Sequence, residues 1–161
     1  VRSPLTTSLA ILLLAVPALA DTDGGIAALR ARLGSAAPSG VGIQVVQVEA
    51  PEATDAYAPD TSNPEFVGKT ITKVNTPAVN SWHATNVGKW LYGGTSAMAI
   101  GISSAWAYNV NTWINANLKV GAGTTAPTAQ PGSTVRVMNH SWIGSFGAGN
   151  ETFDREAIRR L

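Results

Sequence analysis

Apolar and polar positions alternate along the chain in blocks, and the blocks predict its elements. Residues 9–16, LAILLLAV, form an unbroken apolar run between Arg2 and the sequence Pro17-Ala18-Leu19-Ala20-Asp21. The run is too short to span a bilayer. A positive start, a short apolar stretch and small residues at an A-x-A site make a secretory signal peptide, cut between Ala20 and Asp21. The mature chain is then secreted or periplasmic, with no membrane association. In residues 24–34, GGIAALRARLG, Ile26, Leu29 and Leu33 fall three and four apart, which predicts a short helix ended by Gly34. Residues 41–48, VGIQVVQV, are β-branched and mostly apolar between turn residues, the pattern of a central parallel strand. Glu49 follows at its carboxyl end, where functional groups gather in open α/β sheets.

The middle of the chain is polar and turn-rich, with a short strand predicted at residues 70–74. His83 then opens a helix running to about Tyr92. Val87, Trp90 and Leu91 have the spacing to face a core, while Asn86 and Lys89 face away. Residues 105–118 begin as strand and turn to helix around Trp113, Ile114 and Leu118. Residues 120–132 are a loop and residues 135–142, VRVMNHSW, a second apolar strand. A final helix begins near Thr152, with Phe153, Ala157, Ile158 and Leu161 on one face and Arg159 and Arg160 at its negative end. The alternating order predicts an α/β fold, a doubly wound, mostly parallel sheet with helices on both faces. Three regions result: residues 1–20 as signal peptide, 21–39 as helix and linker, and 40–161 as one domain.

Composition narrows the chemistry. Eleven basic and ten acidic residues leave a net charge of +1 without a basic patch, which argues against a nucleic-acid partner. There is no cysteine, so disulfides, thiolate metal sites and a cysteine nucleophile are excluded. No glycine-rich phosphate loop follows a strand, and neither His83 nor His140 stands in a zinc-protease motif. A histidine at the start of a buried helix is held rigidly with its ring free to face a cleft, as a general base requires. The bland alternative is a histidine satisfying a local hydrogen bond.

Three stretches in order change that balance. GIQVVQVEAP, from Gly42, resembles the G-V-x-V-A-V-I-D-T-G strand of the subtilisin-like serine proteases (subtilases). HATNVGKWLYG, from His83, is similar to their H-G-T-H-V-A-G-x-I-A-G block. VRVMNHSWIG, from Val135, resembles their V-x-V-I-N-M-S-L-G-G strand. Between the first two, APDTSNPEFVGK is similar to the H-P-D-L…F-x-G turn. The resemblance implies a subtilisin-like fold over about residues 40–161. It implies His83 as the catalytic histidine and Glu49 at the position of the catalytic aspartate. Asn139, Ser141, Trp142, Ile143 and Gly144 match the strand that lies along a polypeptide substrate.

This chain departs from the pattern in several places. Glu49 is one methylene longer than aspartate, so it can serve as the triad acid only if its backbone sits back to make room. Asp55 and Asp60 are alternative acids in the loop beyond the strand, and Asp60 better matches the P-D of the turn. Ala84 and Asn86 replace a glycine and a histidine. Ile143 replaces one of two glycines where substrate backbone approaches closely, which narrows the cleft. The sequence from Gly94 to Ala99, GTSAMA, looks like the family's nucleophile motif, but Ser96 lies beyond the helix that His83 begins, ~14 Å along its axis. The family places its serine far downstream. The resemblance therefore implies an N-terminal fragment with the acid and histidine but no nucleophile. No organic cofactor is implied; structural calcium is common in the family, though no ligand set here is assignable. Two further readings remain, a non-catalytic binding protein on the same fold with a degenerate triad, and an unrelated secreted α/β binding domain.

Overall fold

The computed structural model describes residues 25–53, 55–75, 77, 79–127 and 135–161. The expected signal peptide and the end of the 120–132 loop lie outside them. Contacts divide the chain into two compact units, residues 1–37 and 38–161. In the first, helix α1 spans Ile26–Leu33 and ends at Gly34, whose φ of 53° lies in the left-handed region, and a 3-10 turn follows. None of the residues of α1 is buried.

The second unit is an α/β domain. Strands β1 (Gln44–Glu49), β2 (Thr70–Lys73), β3 (Ser104–Asn109) and β4 (Val135–Ser141) form one sheet in the order β2-β3-β1-β4. Every pairing is parallel. Parallel neighbours need crossover connections. Helix α2 (Trp82–Tyr92) lies between β2 and β3. Between β3 and β4 comes α3 (Val110–Thr112), which runs directly into a π-helical turn, Trp113–Leu118. Helix α4 (Glu151–Arg160) follows β4.

Strand β1 is an inner strand of the sheet, and it carries buried valines on both faces. Val45, Val46 and Val48 are fully buried, each worth ~1.5–3 kcal/mol of hydrophobic stabilisation. Successive side chains point to opposite faces. Val46 and Val48 pack with Tyr108, Val110, Trp113 and Leu118. Tyr108 and Trp113 meet edge-on with ring centroids 5.0 Å apart. Val45 packs on the other face with Phe66, Tyr92, Ile102 and Ala105. The α2 side therefore receives Val45, Gln47 and Glu49.

The buried face of α2 differs from the expected one. Ala84, Gly88 and Tyr92 are buried, four residues apart; of the expected residues Leu91 packs against the Val45 cluster and Val87 is half-buried, whereas Trp90 is 56% exposed. Small residues win this face because the helix must approach closely. A Cβ on Gly88 would lie 2.8 Å from Tyr92 Oη and 3.0 Å from Phe66 Cζ. Apolar spacing alone gave no sign of that closeness.

Strand β4 also departs from the apolar strand expected over 135–142. It stops at Ser141, and Val137 and Met138 are exposed. Among the described residues, β4 has a strand neighbour only on its β1 side. In α4 only Ala157 is buried; Phe153, Ile158 and Leu161 are exposed, so the predicted apolar face is largely open. The helix is tied instead by Arg160. Its guanidinium donates to the carbonyls of Leu118, Gly123 and Thr125 and pairs with Glu156 at 2.6 Å.

Candidate active site

The sheet order places a crevice at the carboxyl end of β1. From β1 the chain goes to the outer position of β2, returns through β3, and then crosses to β4 on the opposite side of β1. Where strand order reverses in this way, connections leave in opposite directions and open a crevice at the strand ends. Glu49 is the last residue of β1, in register with Asn109 of β3 and Ser141 of β4.

His83 reaches the same point from α2. Ser81 caps the helix: its hydroxyl accepts from the Ala84 N–H at 2.8 Å, and its own N–H donates to the Ala58 carbonyl. Such a cap satisfies one of the free amides of the first turn. The Thr85 hydroxyl accepts from the Asp60 N–H at 2.9 Å and pins the same turn to the preceding loop. His83 is thus held in the first turn, with its side chain 46% exposed and Nε2 3.3 Å from Glu49 Oε2.

Glu49 is completely buried. Its Oε1 accepts from Gln47 Nε2 at 2.8 Å, while Oε2 has no hydrogen-bond partner and faces the imidazole. Burial pushes the carboxyl up to about 7 from its ordinary 4.5; the Gln47 amide and the His83 ring oppose that rise without cancelling it, and Glu52 adds slightly to it. The strand does not need to set back to admit the longer acid, since Glu49 keeps its register with both neighbours. Its side chain extends between Gln47 and His83 instead.

A second carboxylate stands beside the pair. Glu52 Oε1 accepts from the His83 backbone N–H at 3.0 Å. Desolvation acts to raise this group, but hydrogen bonds from Ser81, His83 and Trp82 outweigh it and hold Glu52 below the ordinary carboxylate range. A negative charge at the start of α2 also complements the helix dipole. Sequence reasoning missed Glu52, Gln47 and Tyr92. A glutamine two residues before the acid in an apolar strand was a legible signal. Glu52 and Tyr92 carried none.

The alternative acids are engaged elsewhere. Asp55 accepts from Asn109 Nδ2 at 3.0 Å, and Asp60 accepts from the Ser62 hydroxyl and N–H. Ser96 is bound by Glu65, which takes its hydroxyl at 2.8 Å and its N–H at 3.2 Å, together with the Thr95 hydroxyl and N–H. Those bonds, that of the Thr95 hydroxyl foremost, hold Glu65 down to about 2. The following residues turn back along α2 only as far as Trp90, whose carbonyl accepts from Met98 N–H. Among the hydrogen bonds of the described residues, none runs from a serine or threonine hydroxyl to the His83 ring.

Of the five residues expected along a substrate, Ser141, Trp142 and Ile143 line the opening, and Asn139 and Gly144 do not. A cleft of about 540 Å³ is bounded by Ala50, Pro51, Glu52, His83, Ser141, Trp142 and Ile143. Ser141 Oγ accepts from Asn139 Nδ2 at 2.6 Å. Trp142 Nε1 donates to His140 Nδ1 at 3.2 Å, which fixes the tryptophan on the wall, and burial pushes the His140 ring below its usual value. A neighbouring cavity of about 390 Å³ is lined mainly by apolar side chains, among them Val110, Ile114, Trp142, Phe146 and Ile158. Ile143 borders both spaces and is 97% exposed; it projects from the divide between them. Gly144 has no atom within 4 Å of where a Cβ would stand.

Among the described residues, no group of three or more His, Asp or Glu side chains is arranged to hold a metal ion. None of their helices is long and apolar enough to cross a membrane. In comparisons with known proteins, no protein family, no curated protein and no solved structure matches this chain.

Proposed function

We propose that this chain supplies the acid and the histidine of a secreted, subtilisin-like serine endopeptidase built on a doubly wound sheet. One observation carries the reading: a buried acid at the carboxyl end of the central strand lies 3.3 Å from a half-exposed histidine, at the edge of an open cleft. The ordered resemblance of the three sequence blocks supports it, and so does the position of residues 141–143 along the same cleft.

In the proposed reaction, His83 takes the proton of a serine hydroxyl as its oxygen attacks a peptide carbonyl carbon. The tetrahedral intermediate collapses as His83 returns that proton to the leaving amine. Water then enters with His83 again as base, the acyl–oxygen bond breaks, and the serine is restored. Glu49 orients the imidazole and balances its positive charge. The serine comes from a segment other than those placed beside His83. The ring turns Nε2 toward the acid and leaves Nδ1 for the proton transfer, the reverse of the usual pairing. The substrate lies beside the edge of β4 that faces away from β1 and the segment after it, hydrogen-bonded through its backbone. The apolar cavity beyond Ile143 suits a large apolar side chain of that peptide.

The second reading is a binding protein on the same scaffold without catalysis. Among the described residues no hydroxyl is hydrogen-bonded to the His83 ring, and Ile143 stands where the resemblance expects a glycine; these two features favour it. Casein hydrolysis by the full-length protein separates the two. His83→Ala abolishes hydrolysis if His83 is the base, by ~10⁴-fold or more. An unchanged rate rules out the triad, and a wild-type protein with no hydrolysis and no labelling by a fluorophosphonate favours the binder.

A further inference from the structure

Gln47 is a fully buried amide in an otherwise apolar stretch of β1, and the reaction above makes no use of it. Its side chain has three partners. Nε2 donates to Glu49 Oε1 at 2.8 Å and to the Ala84 carbonyl of α2 at 2.9 Å. Oε1 accepts from the Tyr92 hydroxyl at 2.6 Å. Only one orientation of the amide satisfies this set. Turned over, its oxygen would face a carbonyl and a carboxylate oxygen, so two buried bonds would be lost, and only the tyrosine hydroxyl, now accepting from the NH₂, would keep a partner. An unsatisfied buried polar group costs ~1–3 kcal/mol, which locks the orientation.

The lock has a consequence for Glu49. Because Oε1 faces an N–H donor, it holds no proton. Any proton on the carboxyl sits on Oε2, the oxygen 3.3 Å from the imidazole and otherwise without a hydrogen-bond partner. The titratable groups around Glu49 are His83 and Tyr92 from α2 and Glu52 from the loop after β1. Its register partners Asn109 and Ser141 are uncharged.

We propose that Gln47 and Tyr92 are positioning residues that commit Oε1 of Glu49 to the frame and leave Oε2 as the single oxygen that faces and orients the His83 ring. The proposal rests on reading Glu49 and His83 as an acid–base pair. It also accounts for the departure from aspartate: a glutamate spans from β1 to a grip at its tip, and the grip is a side chain two residues back on the same face.

The test is a pH titration of the Glu49 carboxyl carbon in ¹³C-glutamate-labelled protein, with peptide hydrolysis followed in the full-length protein. Gln47→Leu removes the donor that favours the ionised form, so the Glu49 midpoint moves upward. Tyr92→Phe frees the amide and moves the midpoint the same way by less. In the full-length enzyme each lowers kcat, Gln47→Leu by about tenfold or more, with KM little changed, as for an interaction felt in the transition state. If Gln47→Leu does not fold, Tyr92→Phe carries the test. A variant that lowers only the melting temperature, with the Glu49 midpoint unmoved, overturns the proposal. If the midpoints move but the wild-type protein hydrolyses nothing, the positioning role stands and the protease reading falls. If the wild type hydrolyses peptides and the variants change neither midpoint nor kcat, the positioning role falls alone.

Discussion

Replacing Glu49 by glutamine should make the domain more stable at neutral and alkaline pH. The folded carboxyl is pushed from 4.5 to about 7 by burial. Between those values the folded state holds a proton that the unfolded state has lost, so stability falls as pH rises through that window. The shift corresponds to roughly 3 kcal/mol at ~1.4 kcal/mol per unit. Exposure does not discount it, because the side chain is fully buried. Glutamine removes the titration and fits the contacts. Its oxygen can accept from Gln47 Nε2, and its NH₂ takes the place of Oε2 opposite His83. Urea unfolding followed by tryptophan fluorescence reads the difference directly. Near pH 4 the two proteins should unfold at similar midpoints. Near pH 8 Glu49→Gln should be more stable by about 3 kcal/mol, with the gap opening between. A gap that is constant with pH, or that widens toward acid, would refute the argument that burial governs this carboxyl.

Two shorter predictions follow from the same geometry. Glu49→Asp withdraws the carboxyl by about one C–C bond from both Gln47 and His83, so under the proposed function peptide hydrolysis should fall at least about tenfold, as small misplacements at a reacting centre do; undiminished activity would mean that the grip of Gln47 is irrelevant. Ser81→Ala removes the acceptor for the Ala84 N–H and should cost about 1 kcal/mol in chemical denaturation. A Ser81→Thr variant, which keeps a hydroxyl that can accept from Ala84 and donate to Glu52, should restore most of that loss.

The candidate site shows where sequence reasoning stops. His83 and Glu49 were legible because each occupies a position with a local cause. One is at a polar-to-helix junction, and the other is at the end of an apolar strand. The buried face of α2 was misjudged because hydrophobic spacing selects large residues, while the close approach of helix to sheet selects Ala84 and Gly88. The exposure of β4 and α4 was also misjudged. An apolar pattern states what can be buried, and only neighbours decide what is. Gln47 was read as one polar residue in a strand, and its role appeared only when Tyr92 and Ala84 were brought to it from elsewhere in the chain.

By itself the sequence determined the succession of strand and helix, the parallel habit of β1, the start of α2 near His83, and a histidine with a short set of candidate acids. These follow from interactions among near neighbours, which periodicity and turn chemistry record. Tertiary structure alone decided the strand order, which puts β1 between β3 and β4 and opens the crevice at Glu49. It decided which acid meets His83, since Glu49, Asp55 and Asp60 are all close in sequence but only Glu49 comes to the ring. It also decided the state of that acid, because its proton affinity depends on how completely the packed sheet and helix remove water from it.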